Sequence, residues 1–311
     1  MTELPAWAQG FELELKFDER LAPHTTIDIG GDARWFAEPA TAEGTAKLLL
    51  ALSTAGVGWK VLGGGSNLVA PDGGVRDEVV IHPSKLNEFR IKDTRVTLGA
   101  GFALQRAVAL TTGEGLAGLQ GLGGIPAQIG GAVAMNAGGR HGWISDVLES
   151  VVVAMPDGKL HTILASDLKM GYREAHLPKG AVIVSATFDL AAGNAAELKK
   201  TAGEITKDKS KKQPTREKNF GCTWKNPDGQ SGVSAGKLAE DAGCKGLAVG
   251  KARITATHGN FIDNDGGATA EDVRQLIARA EAMIFAEHGI ELEREVVIWP
   301  EPRLSMSSRG G

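Results

Sequence analysis

GEGLAGLQGLGGIPAQIGGAVAMNAGG, residues 113–139, holds ten glycines in twenty-seven positions and one charged side chain, Glu114. Surface loops are polar, and strands exclude glycine because it packs nothing and loses much backbone entropy on folding. A stretch both apolar and glycine-dense is therefore main chain brought close to something large. An isolated glycine pair reads as tight packing between elements. Ten of them, punctuated by Pro126 and Asn136, read as a wall on which a cofactor lies along the backbone.

A second cluster lies upstream. Residues 59–69, WKVLGGGSNLV, run a short apolar strand into Gly63, Gly64, Gly65, Ser66 and Asn67. Consecutive glycines can turn several backbone N–H groups into one concavity, a nest that suits phosphate or pyrophosphate. A Rossmann phosphate loop requires a helix to begin at the glycines. Here Pro71, Asp72, Gly73 and Gly74 make a turn before another strand, so the two glycine segments together point to a dinucleotide held outside the Rossmann fold.

The whole chain sets the bounds. Its 311 residues exceed one ordinary core, so two or three domains are expected. Charged residues at 23% and a net charge of −4 describe a globular protein with no general pull toward nucleic acid or an anionic membrane. No apolar run approaches the ~20 residues that span a bilayer. The start MTELPAWAQGFELELKF has neither a basic nor an apolar leader region, and Cys222 and Cys244 fit reduced thiols, so a cytoplasmic place is expected.

Short strands alternate with helices. Thr41 is the expected N-cap of a helix through Ala46, Leu49, Leu50 and Leu52 that ends near Gly56. Strands are expected at WKVL, VVIH, LESVVVAM, KLHTIL and AVIVSATFDL, a hairpin over 87–99, and a helix at FALQRAVALTT. From Glu197 to Lys218 lysines dominate, which reads as a solvated helix face and a domain junction. Thr269 caps a helix with Val273, Leu276, Ile277, Ala280 and Ile284 on one face, closed by Gly289, and EREVVIW follows as a last strand.

Three segments carry candidate chemistry. GYREAH (171–176) holds Tyr172, the one tyrosine of the chain, beside Arg173; GCTWKNP (221–227) holds Cys222, Lys225 and Asn226; ELEREVVIW (291–299) holds Glu295. Each also has a plain reading, as a surface ion-pair partner, a buried small residue and the polar end of an edge strand. No HExxH, CxxC or nucleophile elbow occurs, so neither metal catalysis nor serine hydrolysis is indicated and no metal is expected. His258, in ATHGNFI, reads as a structural hydrogen-bonding histidine.

The order of the motifs, from LAPHTTIDIGG at Leu21 through GGGSN, GIPAQIGGAVAMNAGG, GYRE, GCTWKNP, AGKLAEDAGCKG and HGNFI to Trp299, resembles the UDP-N-acetylenolpyruvoylglucosamine reductases. The resemblance covers nearly the whole chain. It implies an α+β fold: a two-part FAD-binding region of the vanillyl-alcohol-oxidase (PCMH) type in residues 1–82 and 83–205, a UDP-sugar-binding domain in 206–300, and a tail in 301–311. It implies FAD as cofactor, NADPH as hydride donor, and UDP-N-acetylmuramate dehydrogenase activity in peptidoglycan precursor synthesis, in a monomer that binds no nucleic acid or membrane. Residue by residue, Gly63, Gly64, Gly65, Ser66 and Asn67 become the pyrophosphate cradle. Gly124, Ile125, Pro126, Gly130, Gly131 and Asn136 join the flavin wall. Arg173, Cys222 and Glu295 take the catalytic positions, and Lys212, Lys225 and Asn226 face the substrate.

The chain departs from the family in places. Cys222 stands where serine is usual, Ala127 replaces the glycine after Ile-Pro, and His24, Thr25 and Thr26 replace an Asn-Thr-Phe. REAHLPKGAVIV runs straight to its strand without the tyrosine-bearing insertion of some members, which marks the shorter subtype and leaves open what covers the substrate diphosphate. The implied chemistry adds hydride to the terminal vinyl carbon of an enol ether and a proton to the adjacent carbon. Arg173 would pair with the substrate carboxylate, a protonated Glu295 would hydrogen-bond the enolate, and a neutral Cys222 would give its proton to carbon. If reachable, such a thiol is expected to be alkylated with loss of activity. Two alternatives share the FAD-binding half: a vanillyl-alcohol-oxidase-like oxidase with a covalent flavin link, for which His24 and His141 are the nearby histidines, and a non-catalytic flavin or UDP-sugar-binding homologue.

Overall fold

The structure, a computed structural model, describes residues 4–9, 13–214, 218–229 and 232–300. Arg216 and Glu217 of the basic run and the expected tail 301–311 lie outside these residues. The chain opens with strands β1 (Glu14–Arg20) and β2 (Asp32–Glu38), helix α1 (Ala42–Thr54), and strands β3 (Gly58–Val61), β4 (Leu68–Val69) and β5 (Val75–Ile81). β1, β2, β5 and β3 form one sheet in that order, antiparallel at β1–β2 and parallel elsewhere. The Thr41 side chain accepts the Gly44 N–H at 2.9 Å and caps α1 as expected. Leu48, Leu49 and Leu52 are buried on its inner face, whereas Leu50, which the pattern counted, is half exposed.

An antiparallel sheet follows, ordered β9-β8-β10-β7-β6, built from the hairpin β6 (Phe89–Lys92) and β7 (Arg95–Gly99), then β8 (Leu148–Ala154), β9 (Leu160–Leu164) and β10 (Val182–Asp189). Helices α2 (Leu104–Gly113) and α3 (Ile129–Ala134) lie between β7 and β8. One hydrophobic core joins both sheets: Leu48 and Leu49 of α1, Val79 and Ile81 of β5, Val96 and Leu98 of β7, Val151 and Val153 of β8, and Ile129 and Val133 of α3. At ~1.5–3 kcal/mol for each fully buried aliphatic side chain, this layer fixes the wall on which the glycine segments run.

Helix α4 (Ala195–Lys212) is continuous through 205/206, where a domain boundary was expected, because Ile205 is its buried residue and its lysines are largely solvated. Beyond it come β11 (Asn219–Cys222), α5 (Ala235–Asp241), β12 (Ala248–Val249), β13 (Ala252–Ile254), β14 (Phe261–Asn264) and α6 (Ala270–His288). The strands form an antiparallel sheet in the order β11-β14-β13-β12. Thr269 and Asp272 make a reciprocal capping box on α6, and Gly289 closes it in the left-handed region at φ +66°. The core of this part holds Phe220, Trp224, Leu276 and Ile277, and also takes in Ile27, Ile29 and Val69 from the N-terminal region.

The expected last strand is short. Val297–Ile298, β15, pairs in parallel with β4, and Arg294 makes a single antiparallel bridge to Trp224. Glu295 therefore precedes the strand, where its N–H donates to the Thr223 carbonyl at 2.8 Å. That pairing brings Val297 and Ile298 against the end of the GGGSN loop, where the Val297 N–H donates to the Asn67 carbonyl at 3.1 Å.

Candidate active site

The two glycine segments meet. A Cβ on Gly64 would lie 3.6 Å from the Gln128 nitrogen, and one on Gly63 would lie 3.7 Å from Gln128 Oε1. Gly65 must be glycine: its φ is +63°, and a Cβ there would sit 2.1 Å from the His24 carbonyl oxygen. Gln128 Oε1 is buried without a hydrogen-bond partner, facing this loop, and the space beyond Gly131 is open. A buried orphan acceptor beside an exposed glycine backbone fits a polar, flat cofactor laid along the wall.

The remaining expected wall residues divide by task. Gly124 (φ +76°) and Ile125 are held by Gln105 of α2, whose Oε1 accepts the Gly124 N–H at 2.8 Å and whose Nε2 donates to the Ile125 carbonyl at 2.8 Å. Pro126 is exposed. Gly130 serves packing, since its Cβ would lie 3.1 Å from that of Ala100. Asn136 is buried and braces the turn that carries Arg173, donating to the Gly171 carbonyl at 2.9 Å and accepting the Ser145 N–H at 3.0 Å. Asn67 donates from Nδ2 to the Glu295 carbonyl at 3.0 Å, so its amide ties the nest to the C-terminal strand. The Ser66 carbonyl lies 3.6 Å from a Cβ built on Gly221.

Arg173, Cys222 and Glu295, far apart in sequence, converge beside this wall. Arg173 Nε lies 2.7 Å from Glu295 Oε1, with side chains 18% and 12% exposed. The contact is one of charge: the Nε–H is not angled as a hydrogen bond, and Nε is buried without an acceptor. Nη1 donates to the Gly138 carbonyl at 2.9 Å. Burial raises the Glu295 carboxyl above its ordinary range, with Arg173 and Lys225 pulling the other way. Cys222 ends β11, next to Thr223, which accepts the Glu295 N–H. Although the residue keeps some exposed surface, the protein around the sulfur pushes its pKa up to about 12, helped by the Glu295 charge and opposed by Arg173. The thiol is thus a neutral acid at physiological pH. Alkylation of Cys222 is expected to be slow, because a thiolate is the nucleophile and burial keeps the thiol neutral.

The expected substrate cations are less free than the sequence suggested. Lys225 Nζ pairs with Glu293 at 2.7 Å, its N–H donates to the Glu293 carbonyl at 2.8 Å, and its side chain is 17% exposed. Asn226 Oδ1 accepts the Ala235 N–H at 3.0 Å, and its own N–H donates to the Tyr172 hydroxyl at 3.4 Å. Lys212 ends α4 on the surface, paired with Asp208 at 2.9 Å. One turn earlier, Lys209 has no carboxylate partner among the described residues. Its Nζ donates to the Gly123 carbonyl at 2.9 Å, and burial, with repulsion from Arg173 and Arg140, lowers its pKa to about 8. Neither Lys209 nor the brace Gln105 was legible, since both sit in helices whose polar residues read as solvated.

Other histidines are committed elsewhere. His24 pairs with Glu19 at 2.8 Å and stacks on Phe36, and His141 takes a hydrogen bond from Arg140 at 2.8 Å. His258 Nδ1 accepts the Asn260 N–H at 3.2 Å, and burial lowers its pKa, the structural role expected of it. No group of three or more potential metal-ligating side chains occurs among the described residues.

Comparison with known proteins gives concordant matches. Residues 213–299 match the model of the UDP-N-acetylenolpyruvoylglucosamine reductase C-terminal domain, and residues 33–164 match an FAD binding domain. The chain is 36% identical over 289 residues to a UDP-N-acetylenolpyruvoylglucosamine reductase of Anoxybacillus flavithermus, covering 91% of this chain and 94% of that one. It is 40% identical over 280 residues to the Thermus thermophilus protein of the same name, covering 90% and 97%. The crystal structure of the Thermus caldophilus UDP-N-acetylenolpyruvylglucosamine reductase superposes with a TM-score of 0.79 at 38% identity, over 93% of this chain and 99% of that one.

Proposed function

We propose residue roles for a chain that belongs to the UDP-N-acetylenolpyruvoylglucosamine reductase family. Its activity is the FAD-dependent, NADPH-using reduction of the enolpyruvyl group of UDP-N-acetylglucosamine-enolpyruvate to UDP-N-acetylmuramate, a step of peptidoglycan precursor synthesis. Bound FAD would supply the hydride, with NADPH as its source. Gly63, Gly64, Gly65 and Ser66 would hold its pyrophosphate, and Gly124, Ile125, Gly131 and Gln128 would line its ring. Asn67 and Asn136 keep that wall and the catalytic turn in register.

Arg173 binds the substrate carboxylate. Its guanidinium has five N–H donors, and Gly138 is its one hydrogen-bond acceptor among the described residues, so donors remain for a bidentate clamp. Engaging the substrate draws Arg173's charge away from Glu295, whose pKa then climbs further above the ordinary range. Glu295 takes up a proton and donates a hydrogen bond to the developing enolate, a contact that strengthens only as charge builds. Cys222, held neutral, gives its proton to the carbon next to the ether oxygen. Such proton donation is worth ~10²–10⁴ in rate. Lys225 and Asn226 shape the substrate side of the cleft, with Lys209 a nearer cation than Lys212.

The carrying observation is the 2.7 Å approach of Arg173 to a mostly buried Glu295 whose backbone is bonded to the neighbour of Cys222. The FAD-binding region extends through α4 and the substrate domain begins after it, because the helix is unbroken to Lys212. No helix among the described residues is long and apolar enough to cross a membrane, and both cysteines are free. The test is NADPH oxidation by the purified yellow protein with and without UDP-N-acetylglucosamine-enolpyruvate, with the product identified by mass. UDP-N-acetylmuramate formed in proportion to NADPH consumed supports the reading. Substrate-independent oxygen consumption would favour an oxidase, and no turnover a binding protein.

A further inference from the structure

Arg173 stands in the left-handed region at φ +63°, a conformation a long side chain adopts only when its surroundings impose it. The backbone cause is visible: Gly171 and Glu174 pair across a tight turn whose Gly171 carbonyl is held by Asn136. The direction of the guanidinium has a second cause, because the Gly138 hydrogen bond and the 2.7 Å approach to Glu295 hold its nitrogens and leave its faces to be packed.

That cause is an aromatic corner. A short antiparallel ribbon pairs Gly138 with Trp143 and Gly139 with Gly142. A Cβ on Gly138 would lie 2.6 Å from Trp143 Cα and 2.8 Å from its Cδ2, so glycine at 138 is what lets the indole fold over the ribbon. The Asp146 carboxylate accepts the Trp143 N–H at 2.8 Å and fixes the backbone there. The indole meets the Tyr172 ring edge-on at 5.8 Å, and the Arg173 guanidinium carbon lies 5.4 Å from each ring centroid. Both rings lie within the range of cation–π attraction, and indole is the strongest partner.

We infer that Trp143 is a positioning residue for Arg173, its indole holding the guanidinium toward the substrate carboxylate with Tyr172 as the second wall. The sequence does not single out Trp143, because a lone tryptophan after His141 and Gly142 signals only packing. The inference rests on the role proposed above for Arg173.

Trp143→Phe keeps a ring face, whereas Trp143→Leu and Trp143→Met keep bulk and lose it. In flavin-loaded enzyme both aliphatic variants are expected to lower turnover with the enolpyruvyl substrate about 3- to 30-fold, with Trp143→Phe within about 3-fold of the parent. Flavin content and the rate of flavin bleaching by NADPH should stay unchanged. The decisive measurement repeats Trp143→Leu and Trp143→Met in an Arg173→Ala background. Positioning through Arg173 predicts no further loss there, and an equal loss in both backgrounds overturns the inference. Loss of flavin in either aliphatic variant, or parental turnover in both, overturns it as well. Should Arg173→Ala alone leave turnover intact, the proposed role of Arg173 is what fails.

Discussion

Alkylation of Cys222 tests the electrostatics of the site without substrate. Its ordinary pKa near 9 is pushed to about 12 by burial and by the Glu295 charge. At pH 7.5 the thiolate fraction therefore falls roughly a thousandfold below that of an ordinary thiol. A more basic thiolate is intrinsically more nucleophilic, with a Brønsted coefficient of ~0.4–0.5, which restores roughly twentyfold. The net expectation is labelling by iodoacetamide about fiftyfold slower than in the unfolded chain, before any hindrance of access. The assay is timed quenching followed by peptide mass spectrometry, reading Cys222 and the buried Cys244 separately in native and denatured protein. Glu295→Gln removes a charge that raises the thiol's pKa and should speed labelling of Cys222. Arg173→Ala removes one that lowers it and should slow labelling. Native Cys222 modified at the rate of an unfolded thiol would refute the neutral-acid assignment.

Arg173→Ala should slow turnover with the enolpyruvyl substrate ~10²–10³-fold while leaving flavin bleaching by NADPH near normal, because the enolate forms only with substrate; stopped-flow absorbance of each step decides it, and equal losses would contradict it. Gly64→Leu should yield colourless protein whose C-terminal part remains folded, read by flavin absorbance and limited proteolysis; retained FAD would contradict the cradle. Glu295 must be protonated to act, so kcat/KM should hold at low pH and fall as pH rises through its raised pKa. Lys225 lowers that pKa, so Lys225→Met should move the falling limb to higher pH, and an unmoved limb would remove Glu295 from that ionisation.

Local rules made much of the fold legible. Thr41, Thr269 and Gly289 act where their capping chemistry placed them, and Val273, Leu276, Ile277, Ala280 and Ile284 form the buried face of α6 as spaced. The two glycine segments, read as one wall, do meet at Gly64 and Gln128. What stayed hidden depends on tertiary approach. The run EREVVIW forms a strand over only Val297 and Ile298, whose partner β4 is that short, and otherwise touches a sheet only at the Arg294 bridge to Trp224. Lys209 and Lys212 look alike in a basic helix, yet one is turned to Gly123 and the other to solvent. The left-handed turn at Arg173 depends on Asn136, which holds Gly171 thirty-five positions away, and the acidity of Cys222 on its burial and on a glutamate seventy-three positions on.

Single-turnover product formation by Cys222→Ala tests the catalytic assignment most directly. With flavin already reduced and substrate added anaerobically, parent enzyme and Cys222→Ser should form UDP-N-acetylmuramate. Cys222→Ala, equally loaded and equally reducible by NADPH, should form it ~10²–10⁴-fold more slowly. Parental rates in the alanine variant would contradict proton donation from Cys222 and leave Glu295 or water to supply the proton.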